Sequence, residues 1–481
     1  MLAYDELQGS SGREVWYRAP RYDARKLFPH GPPRVQLGSA LHRLQDISLG
    51  GMAIMCGQTA LDIPDVGEIV PIAIRQSGHT IFESKALVCR RENALQGSKL
   101  AFSSVNAFVD FDKLLARNTQ ARISAQSSLA GSADNLVPKD YRLLCADTLK
   151  LLGSYRDLLD EHAVLAGNFE RAFDIEGTYK ACESQLIDGW RSLWLKGNDL
   201  ARDLAGDQDS LDAAKRFTEI VLTPEMSLGA IWNRSYAKPL GYPGDFEVMN
   251  QVYDGTRRGE TVYQMLLHRI GLEVADCIRT RMEVVRDRIA DMVAEKGEGS
   301  LRIASLGSGP AREVEQFLAS GRQRSAHVEF TLIDQEQAAL KYALEKTYPL
   351  LATRNSRARV QCLNISFTDI LRGGGGLSQL APQDLIYSVG LIDYLADRRA
   401  RALVRKLYDA LAPGGQLIIG NMNETPLSNL WPMEFIVDWT LYYRSDAQMM
   451  AWTDGMNAAR AWTETESTGR VRLLYVQKPA G

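Results

Sequence analysis

The sequence predicts a multidomain protein with an N-terminal antiparallel β-barrel, a helical middle segment and a C-terminal α/β domain of Rossmann-like topology. Its 481 residues exceed what one hydrophobic core usually organises. Short β-like runs broken by glycine and proline fill the first part, and leucines at helical spacing fill the middle. In the last third, strand-like and helix-like segments alternate, as in parallel sheets wrapped by helices.

Composition excludes several classes of function. Hydrophobic residues make up 45% and charged residues 24% of the chain, as in ordinary globular proteins. The formal net charge of −3 gives no overall attraction to nucleic acid. The six cysteines and six histidines are scattered without metal-ligand spacing, which predicts reduced thiols and no metal site. Without a signal peptide or an apolar run of about 18 residues, we expect a cytoplasmic protein with no transmembrane segment.

The first zone, residues 1–122, is predicted to be the barrel. Closely spaced strands with little helix between them favour a small antiparallel barrel. The strand candidates are "RVQLGSALHRLQDIS", "GMAIMC", "GEIVPIAIRQ", "TIFESKALVCRRE" and "GSKLAFSSV". A helix-like run, "DFDKLLARNTQARIS", follows them, and residues 123–139 have the small, polar composition of a linker.

The second zone, residues 140–293, has a helical period throughout. It predicts helix-on-helix packing and offers a surface for a homodimer. Inside it, "YAKPLGYPGDFEVMN" (Tyr236–Asn250) carries two prolines and two glycines that interrupt the helices. That segment is either a connector or a lid that presents Tyr, Asp and Glu side chains.

The third zone, residues 294–481, opens with the strand–turn–helix "IASLGSGPAREVEQFL". Gly307 and Gly309 let the backbone approach a ligand closely, and Asp334 ends the next strand, where an acid can accept hydrogen bonds from ribose hydroxyls. These features fit either a nicotinamide dinucleotide or S-adenosylmethionine. Arg312 occupies the third position of a GxGxxG pattern, which disfavours a pyrophosphate-binding turn and therefore a dehydrogenase.

The same zone resembles class I S-adenosylmethionine-dependent methyltransferases over about residues 301–423. "IASLGSG", "LID", "LNIS", "DLIYSVGLIDYL" and "LAPGGQLIIGN" follow the order of that family's motifs. The resemblance departs at Ser305, where many members carry an acid near the methionine amino group, and Asp245 is a candidate to replace it. The cofactor-binding positions that the resemblance implies are Gly307, Gly309, Asp334, Gln335, Asn364, Ile365 and Ser388.

A narrower resemblance rests on "KPLGYPGDFEVMN", "SVGLIDYL" and "MEFIVDWTLYYRS". Together they are similar to bacterial methyltransferases named for biosynthesis of 3-hydroxy fatty acid methyl esters. In that family, a GYxGD segment precedes the methyltransferase core and a Trp-Tyr-Arg helix follows it. The resemblance implies a small-molecule methyl acceptor, with a hydroxy fatty acid as one example.

Two kinds of acceptor chemistry fit the residues. A carboxylate acceptor needs no general base, and Arg444 would orient it while Trp439 and Tyr443 line an apolar pocket. A hydroxyl or amine acceptor would need a proton acceptor, for which Asp393 and Asp245 are candidates. Helix packing is the alternative role for the Trp-Tyr-Arg residues. The predicted catalytic set is Asp245, Asp393, Tyr394, Tyr443 and Arg444.

The N-terminal zone resembles the PilZ domain, a receptor for cyclic di-GMP, over about residues 1–118. That family pairs an RxxxR segment with a D/NxSxxG turn, here "RYDAR" and "DISLGG". Paired arginines can clamp phosphates and stack on guanine, whereas "RYDAR" alone would be an ordinary solvated stretch. The implied cyclic di-GMP site is Arg21, Arg25, Asp46, Ser48 and Gly51.

The resulting hypothesis is a methyltransferase gated by cyclic di-GMP. The alternative is a non-catalytic effector that uses both folds for sensing or partner binding.

Overall fold

The computed structural model describes residues 3–6, 16–18, 21–28, 33–38, 40–56, 63–76, 79–94, 97–105, 107–111, 114, 136–168, 174–321, 326–353, 357–372, 377 and 380–480. The chain divides into two compact units, Met1–Asn135 and Leu136–Gly481. Most of the predicted linker and of the helix-like run before it lies outside the described residues.

Within the described part of the first unit, six strands close into an antiparallel barrel, which confirms the predicted fold. Their order around the barrel is β4-β7-β8-β9-β6-β5, and β5 pairs again with β4. Outward and inward side chains alternate along β5 and β4, as a half-buried strand requires. The barrel strands are β4 (Arg34–Leu37), β5 (Ala40–Ser48), β6 (Gly51–Cys56), β7 (Ile69–Gln76), β8 (His79–Ala94) and β9 (Gly97–Ser104).

Shorter elements precede the barrel strands. β1 (Ala3–Glu6) pairs antiparallel with β2 (Trp16–Arg18). β3 (Tyr22–Asp23) pairs with the end of β5 and leads into a single helical turn, α1 (Ala24–Leu27). The barrel core includes the fully buried Phe28 and Ile54.

The second unit begins with the predicted helices. Asp174 and Thr261 cap two of them by accepting hydrogen bonds from backbone N–H groups in the first turn. The helices are α2 (Lys139–Asn168), α3 (Ile175–Asp203), α4 (Gln208–Val221), α5 (Thr223–Met226), α6 (Ala230–Ala237), α7 (Phe246–Asp254) and α8 (Val262–Lys296), with a 3₁₀ turn at Leu204–Gly206.

A sheet of seven described strands follows, in the order β12-β11-β10-β13-β14-β16-β15. All neighbouring pairs are parallel except those made by β16, so the predicted Rossmann-like topology is confirmed. Chain order reverses at β10, which lies between β11 and β13, and such switch points are where open α/β sheets bind ligands. The strands are β10 (Ser300–Leu306), β11 (His327–Asp334), β12 (Ala358–Asn364), β13 (Gln383–Ser388), β14 (Leu411–Met422), β15 (Arg460–Thr465) and β16 (Val471–Gln477).

Helices cover this sheet. They are α9 (Arg312–Ser320), α10 (Gln337–Thr353), α11 (Phe367–Arg372), α12 (Asp397–Asp409) and α13 (Asp446–Met450), with 3₁₀ turns at Ile392–Tyr394 and Ala451–Thr453 and a π-helix at Leu430–Ile436. None of the helices in the described residues is long and apolar enough to cross a membrane.

The helical segment and the sheet share one continuous hydrophobic core. The rings of Trp190 on α3 and Trp431 on the π-helix lie 5.6 Å apart, and Trp431 Nε1 donates to the Tyr141 hydroxyl on α2. The helices that precede the sheet in sequence therefore hold the segment after β14 in place.

The predicted Trp-Tyr-Arg helix is wrong. The π-helix ends at Ile436, Asp438 has a φ of +51°, and the chain through Trp439 and Arg444 is not helical. A residue in the left-handed region does not continue a right-handed helix, so Trp439, Tyr443 and Arg444 do not share a helix face.

Candidate functional site

A cavity of about 330 Å³ lies at the carboxyl ends of β10 and β13, within the second unit. The glycine turn after β10, the end of β11, the loop after β13 and helices α7 and α8 contribute its walls. Seven residues predicted for the site line it: Gly307, Gly309, Asp334, Gln335, Ile365, Asp393 and Tyr394.

The glycine turn after β10 adopts backbone conformations that favour glycine. Gly307 and Gly309 have φ of +66° and +51°, where a Cβ is unfavourable. Asp334 Oδ2 accepts from the Gly309 N–H at 2.8 Å, so the acid that ends β11 also fixes the turn. Burial raises the pKa of Asp334.

The turn does not fit a pyrophosphate. The N–H groups of Gly307 and Ser308 donate to Ile333 O, and that of Gly309 donates to Asp334, so they are already used. Glu313 and Glu315 lie in the first turn of α9, where their negative charge opposes a phosphate. A ligand with a ribose but no phosphate suits this turn better.

Two predicted cofactor residues lie outside the cavity lining. The Ser388 hydroxyl donates to Leu306 O at 2.9 Å and joins β13 to β10. Asn364 Nδ2 donates to Asp334 O at 3.0 Å, which supports the acid without contacting the cavity.

A buried acid that sequence reasoning missed stands near Ser305. Glu313 is 7% exposed, lines the cavity and accepts from the Tyr387 hydroxyl at 2.7 Å. Burial raises its pKa. The Ser308 hydroxyl also lines the cavity and has no hydrogen-bond partner among the described residues. The signal in the sequence was an acid four residues after the second glycine, in the first turn of the helix.

Asp245, the candidate for the role that Ser305 leaves open, caps a helix in the structure. Its carboxylate caps α7 by accepting from the N–H groups of Glu247 and Val248, and it pairs with Arg234 at 2.8 Å. It is 1% exposed and is not among the residues that line the cavity.

Asp393 is the buried acid at the opposite side of the cavity. Its Oδ1 accepts from the Met422 N–H at 2.6 Å, and Oδ2 lies 3.8 Å from Arg281 Nη1. Burial raises the pKa of Asp393 to about 6, although Arg281 opposes this. A carboxyl with that pKa is ionised at neutral pH and can accept a proton.

Arg444, which was predicted to orient the acceptor, is engaged elsewhere in the structure. Its guanidinium donates to Asn421 Oδ1 at 2.6 Å and to the carbonyls of Ile392 and Leu395. It also lies against the ring of Trp452 and does not line the cavity. Arg444 therefore supports the loop that carries Asp393.

Of the two aromatic residues predicted for the acceptor pocket, the structure brings one to the cavity. Trp439 lines it, and the Trp439 indole N–H has no hydrogen bond within the described residues. Tyr443 packs against the hydrophobic core instead, and its buried hydroxyl likewise lacks a partner among those residues.

The Tyr236–Asn250 segment covers one side of the cavity. Tyr242 and Gly244 line it, and a Cβ on Gly244 would lie 2.2 Å from the Trp439 ring. The Tyr394 hydroxyl donates to Pro243 O at 3.3 Å. Burial raises the pKa of Tyr394, so this hydroxyl stays protonated at neutral pH.

In the barrel, the structure brings the two PilZ-like motifs together. Arg21 Nη1 lies 2.6 Å from Asp46 Oδ1, and Lys99 Nζ lies 3.3 Å from Asp46 Oδ2. The Ser48 hydroxyl donates to Gly51 O, and a Cβ on Gly51 would lie 2.4 Å from Phe102 O. Arg25 lies in α1, and its side chain is outside the described residues. Across the described residues of the chain, there is no group of His, Cys, Asp and Glu that could hold a metal.

Comparison with known proteins finds solved structures that are similar to this chain. No family model and no curated protein matches the chain. A possible exported protein from Bordetella parapertussis is 18% identical, with 61% of this chain and 97% of that chain covered and a TM-score of 0.42. An O-methyltransferase family protein from Burkholderia thailandensis is 16% identical (71% and 96% covered, TM-score 0.37). Magnesium protoporphyrin IX methyltransferase from Synechocystis with bound S-adenosylhomocysteine is also 16% identical (51% and 98%, TM-score 0.34). Sequence identities and TM-scores this low do not assign a function to this chain.

Proposed function

We propose that this protein is an S-adenosylmethionine-dependent methyltransferase that acts on a small-molecule acceptor. The observation that carries the proposal is the glycine turn after β10, which is hydrogen-bonded to Asp334 and whose own N–H groups already have acceptors. The cavity beside this turn continues into an apolar chamber. Asp334 and Gln335 would contact the ribose, and Ile365 would contact the adenine. Glu313 would hold the methionine ammonium in place of the missing acid at Ser305.

S-adenosylmethionine supplies an electrophilic methyl group on a sulfonium sulfur. The protein's contribution is alignment of the acceptor atom with that methyl and exclusion of water. Tyr242, Gly244 and Trp439 close the cavity on the acceptor side. For a hydroxyl or amine acceptor, Asp393 takes the proton; a carboxylate acceptor is ionised already and needs none.

The apolar part of the chamber favours an acceptor with a hydrocarbon body. Methionine and aliphatic side chains are adaptable walls for a flexible chain. The residues concerned are Met249, Ile278, Met282, Val285, Met433 and Leu441. We therefore propose the carboxylate of a hydroxy fatty acid as an acceptor.

Regulation by cyclic di-GMP is part of the same proposal. It is supported by the two PilZ-like motifs, whose Arg21 and Asp46 side chains are in contact on the barrel. A ligand phosphate would compete with Asp46 for Arg21.

Incubation with labelled S-adenosylmethionine and a bacterial lipid and metabolite extract tests the catalytic proposal. We expect label in a lipid-soluble product, and less of it with Asp334→Ala. Tight S-adenosylhomocysteine binding without transfer to any acceptor would favour the non-catalytic effector instead.

Calorimetric titration of cyclic di-GMP with and without S-adenosylhomocysteine tests the regulatory part. Linkage requires each ligand to change the other's affinity by the same factor. Equal cyclic di-GMP affinities in the two titrations would contradict allosteric linkage between the two ligands. If cyclic di-GMP does not bind at all, the proposal that it is the regulatory ligand is wrong.

A further inference from the structure

Arg281 is a buried cation inside the cavity. It lies on α8, is 7% exposed and lines the cavity wall. A Cβ on Gly390 would lie 2.7 Å from its Nη2 atom, so the guanidinium packs directly over the backbone just after β13. Among the described residues that line the cavity, no other side chain is cationic.

The guanidinium has no hydrogen-bond partner in the described part of the chain. Its ion pair with Asp393 spans 3.8 Å between Nη1 and Oδ2, which is too long for a hydrogen bond. Asp393 uses its other oxygen to accept from the Met422 N–H. The five N–H donors of Arg281 are therefore left without an acceptor of standard geometry.

The other buried arginines among the described residues of this unit have hydrogen-bond acceptors. Arg444, which is 4% exposed, donates to Asn421 and to two backbone carbonyls. Arg470, which is 6% exposed, donates to Glu273 O and Val274 O. Since a buried guanidinium is costly when its N–H groups lack acceptors, the exception at Arg281 calls for a hydrogen-bond acceptor that enters the cavity.

Charge and shape indicate what that partner is. Three acids, Glu313, Asp334 and Asp393, line the same cavity, and Arg281 is the one described lining residue that attracts an anion. A planar guanidinium can donate two parallel N–H groups to the two oxygens of a carboxylate. No such geometry is available to Asp393 at its present distance.

We propose that Arg281 binds a carboxylate inside the cavity. The inference rests on the proposed function, which supplies two sources of that group: the amino-acid end of the cofactor and an acid acceptor. In the second case, Arg281 takes the place that the sequence had assigned to Arg444.

Two pairs of titrations distinguish the sources. S-adenosylhomocysteine is compared with 5′-methylthioadenosine, which keeps the adenosine and the thioether but lacks the carboxylate and the amine. Decanoate is titrated in the presence of 5′-methylthioadenosine as a probe for an acid acceptor. Each is measured by calorimetry on the full chain and on Arg281→Gln and Arg281→Lys.

We expect Arg281→Gln to weaken one carboxylate ligand by about tenfold or more while 5′-methylthioadenosine is unaffected. Loss of S-adenosylhomocysteine affinity identifies the cofactor carboxylate, and loss of decanoate affinity identifies the acceptor. Arg281→Lys should retain part of the affinity, because it keeps the charge without the paired donors.

Arg279→Gln is the matched control. Arg279 lies on the same helix and pairs with Asp276 and Glu283 away from the cavity lining. Unchanged affinity for both carboxylate ligands in Arg281→Gln, or an equal loss for 5′-methylthioadenosine, would overturn the proposal. If neither nucleoside binds the wild-type chain, the methyltransferase proposal fails, and decanoate titrated alone still decides the role of Arg281.

Discussion

The barrel and the cavity hold their arginines in opposite ways. On the barrel, Arg21 is 45% exposed and already paired with Asp46 at 2.6 Å. In the cavity, Arg281 is buried and lacks a hydrogen bond to any described residue. A ligand that binds Arg21 on the barrel must break its existing, solvent-screened contact with Asp46. A ligand that binds Arg281 in the cavity instead supplies hydrogen-bond acceptors that the guanidinium lacks. We therefore expect substitutions at the cavity to have the larger effects.

The largest effect is expected from Gly244→Ala. The new Cβ would overlap the Trp439 ring and displace the wall of the cavity. A displacement of about 1 Å can reduce the rate about a hundredfold, so we expect a loss of methyl transfer of that order. Labelled methyl transfer to the extract measures it.

Gly241→Ala is the control for Gly244→Ala. Gly241 also has a positive φ, of +88°, but a Cβ there has nothing within 4 Å. Both variants place an L residue at positive φ and carry backbone strain of about 1–2 kcal/mol. Equal losses of activity in the two variants would show that the contact with Trp439 does not matter.

Arg444→Met should reduce stability. The substitution leaves the carbonyls of Ile392 and Leu395 and the Asn421 side chain without their donor, at a cost of about 3 kcal/mol. Denaturant unfolding measures it, with the exposed Arg460→Met, whose guanidinium lies over Trp462, as control. If Arg444→Met instead impaired acceptor binding with no loss of stability, the structural role would be wrong.

Asp393 should give the pH dependence of the reaction if the acceptor is a hydroxyl or an amine. With a pKa of about 6, the carboxyl is mostly protonated at pH 5 and mostly ionised above pH 7, so the rate should rise about tenfold over that interval. Asp393→Asn should remove this rise, whereas the exposed Asp409→Asn should keep it. An unchanged profile in Asp393→Asn would favour a carboxylate acceptor.

The same pKa makes a stability prediction. Because the pKa of Asp393 is raised in the folded state, its contribution to stability is present below its unfolded value of 3.8 and is lost as the pH rises through about 6. The unfolding free energy of Asp393→Asn relative to the wild type should therefore increase between pH 4 and 6, by about 3 kcal/mol at most. A difference that does not vary with pH would contradict the raised pKa.

The smallest effect on stability is expected at the barrel. Arg21→Ala removes an exposed ion pair and should change the unfolding free energy by less than about 1 kcal/mol. Its affinity for cyclic di-GMP should fall about tenfold, and Arg75→Ala, an exposed arginine outside both motifs, should retain it. Equal affinities in the two variants would remove Arg21 from the proposed site.

The sequence predicted the fold well because its signals were local. Alternation along β5, helical periodicity in α8 and the strand–turn–helix at Gly307 each occupy one continuous segment. The meeting of the glycine turn and the end of β11 follows from signals of the same local kind. Asp334 follows the glycine turn by one βαβ step, and the structure brings them into contact.

The cavity wall that holds Arg281 and Asp393 was harder to predict because its residues are distant in sequence. Arg281 belongs to α8 and meets Asp393 only through the packing of that helix on the sheet. The local pattern around Arg444 was misleading, because the φ of +51° at Asp438 turns the chain away from a helical course. An arginine in a motif does not reveal whether backbone carbonyls will occupy it.

The proposed function requires that the cavity bind S-adenosylmethionine rather than a dinucleotide. Separate titrations of S-adenosylhomocysteine and NADH into the wild-type chain and Asp334→Ala test it most directly. We predict saturable binding of S-adenosylhomocysteine, weakened about tenfold or more by the substitution, and no saturable binding of NADH. Saturable NADH binding, or S-adenosylhomocysteine binding that is indifferent to Asp334→Ala, would contradict the account.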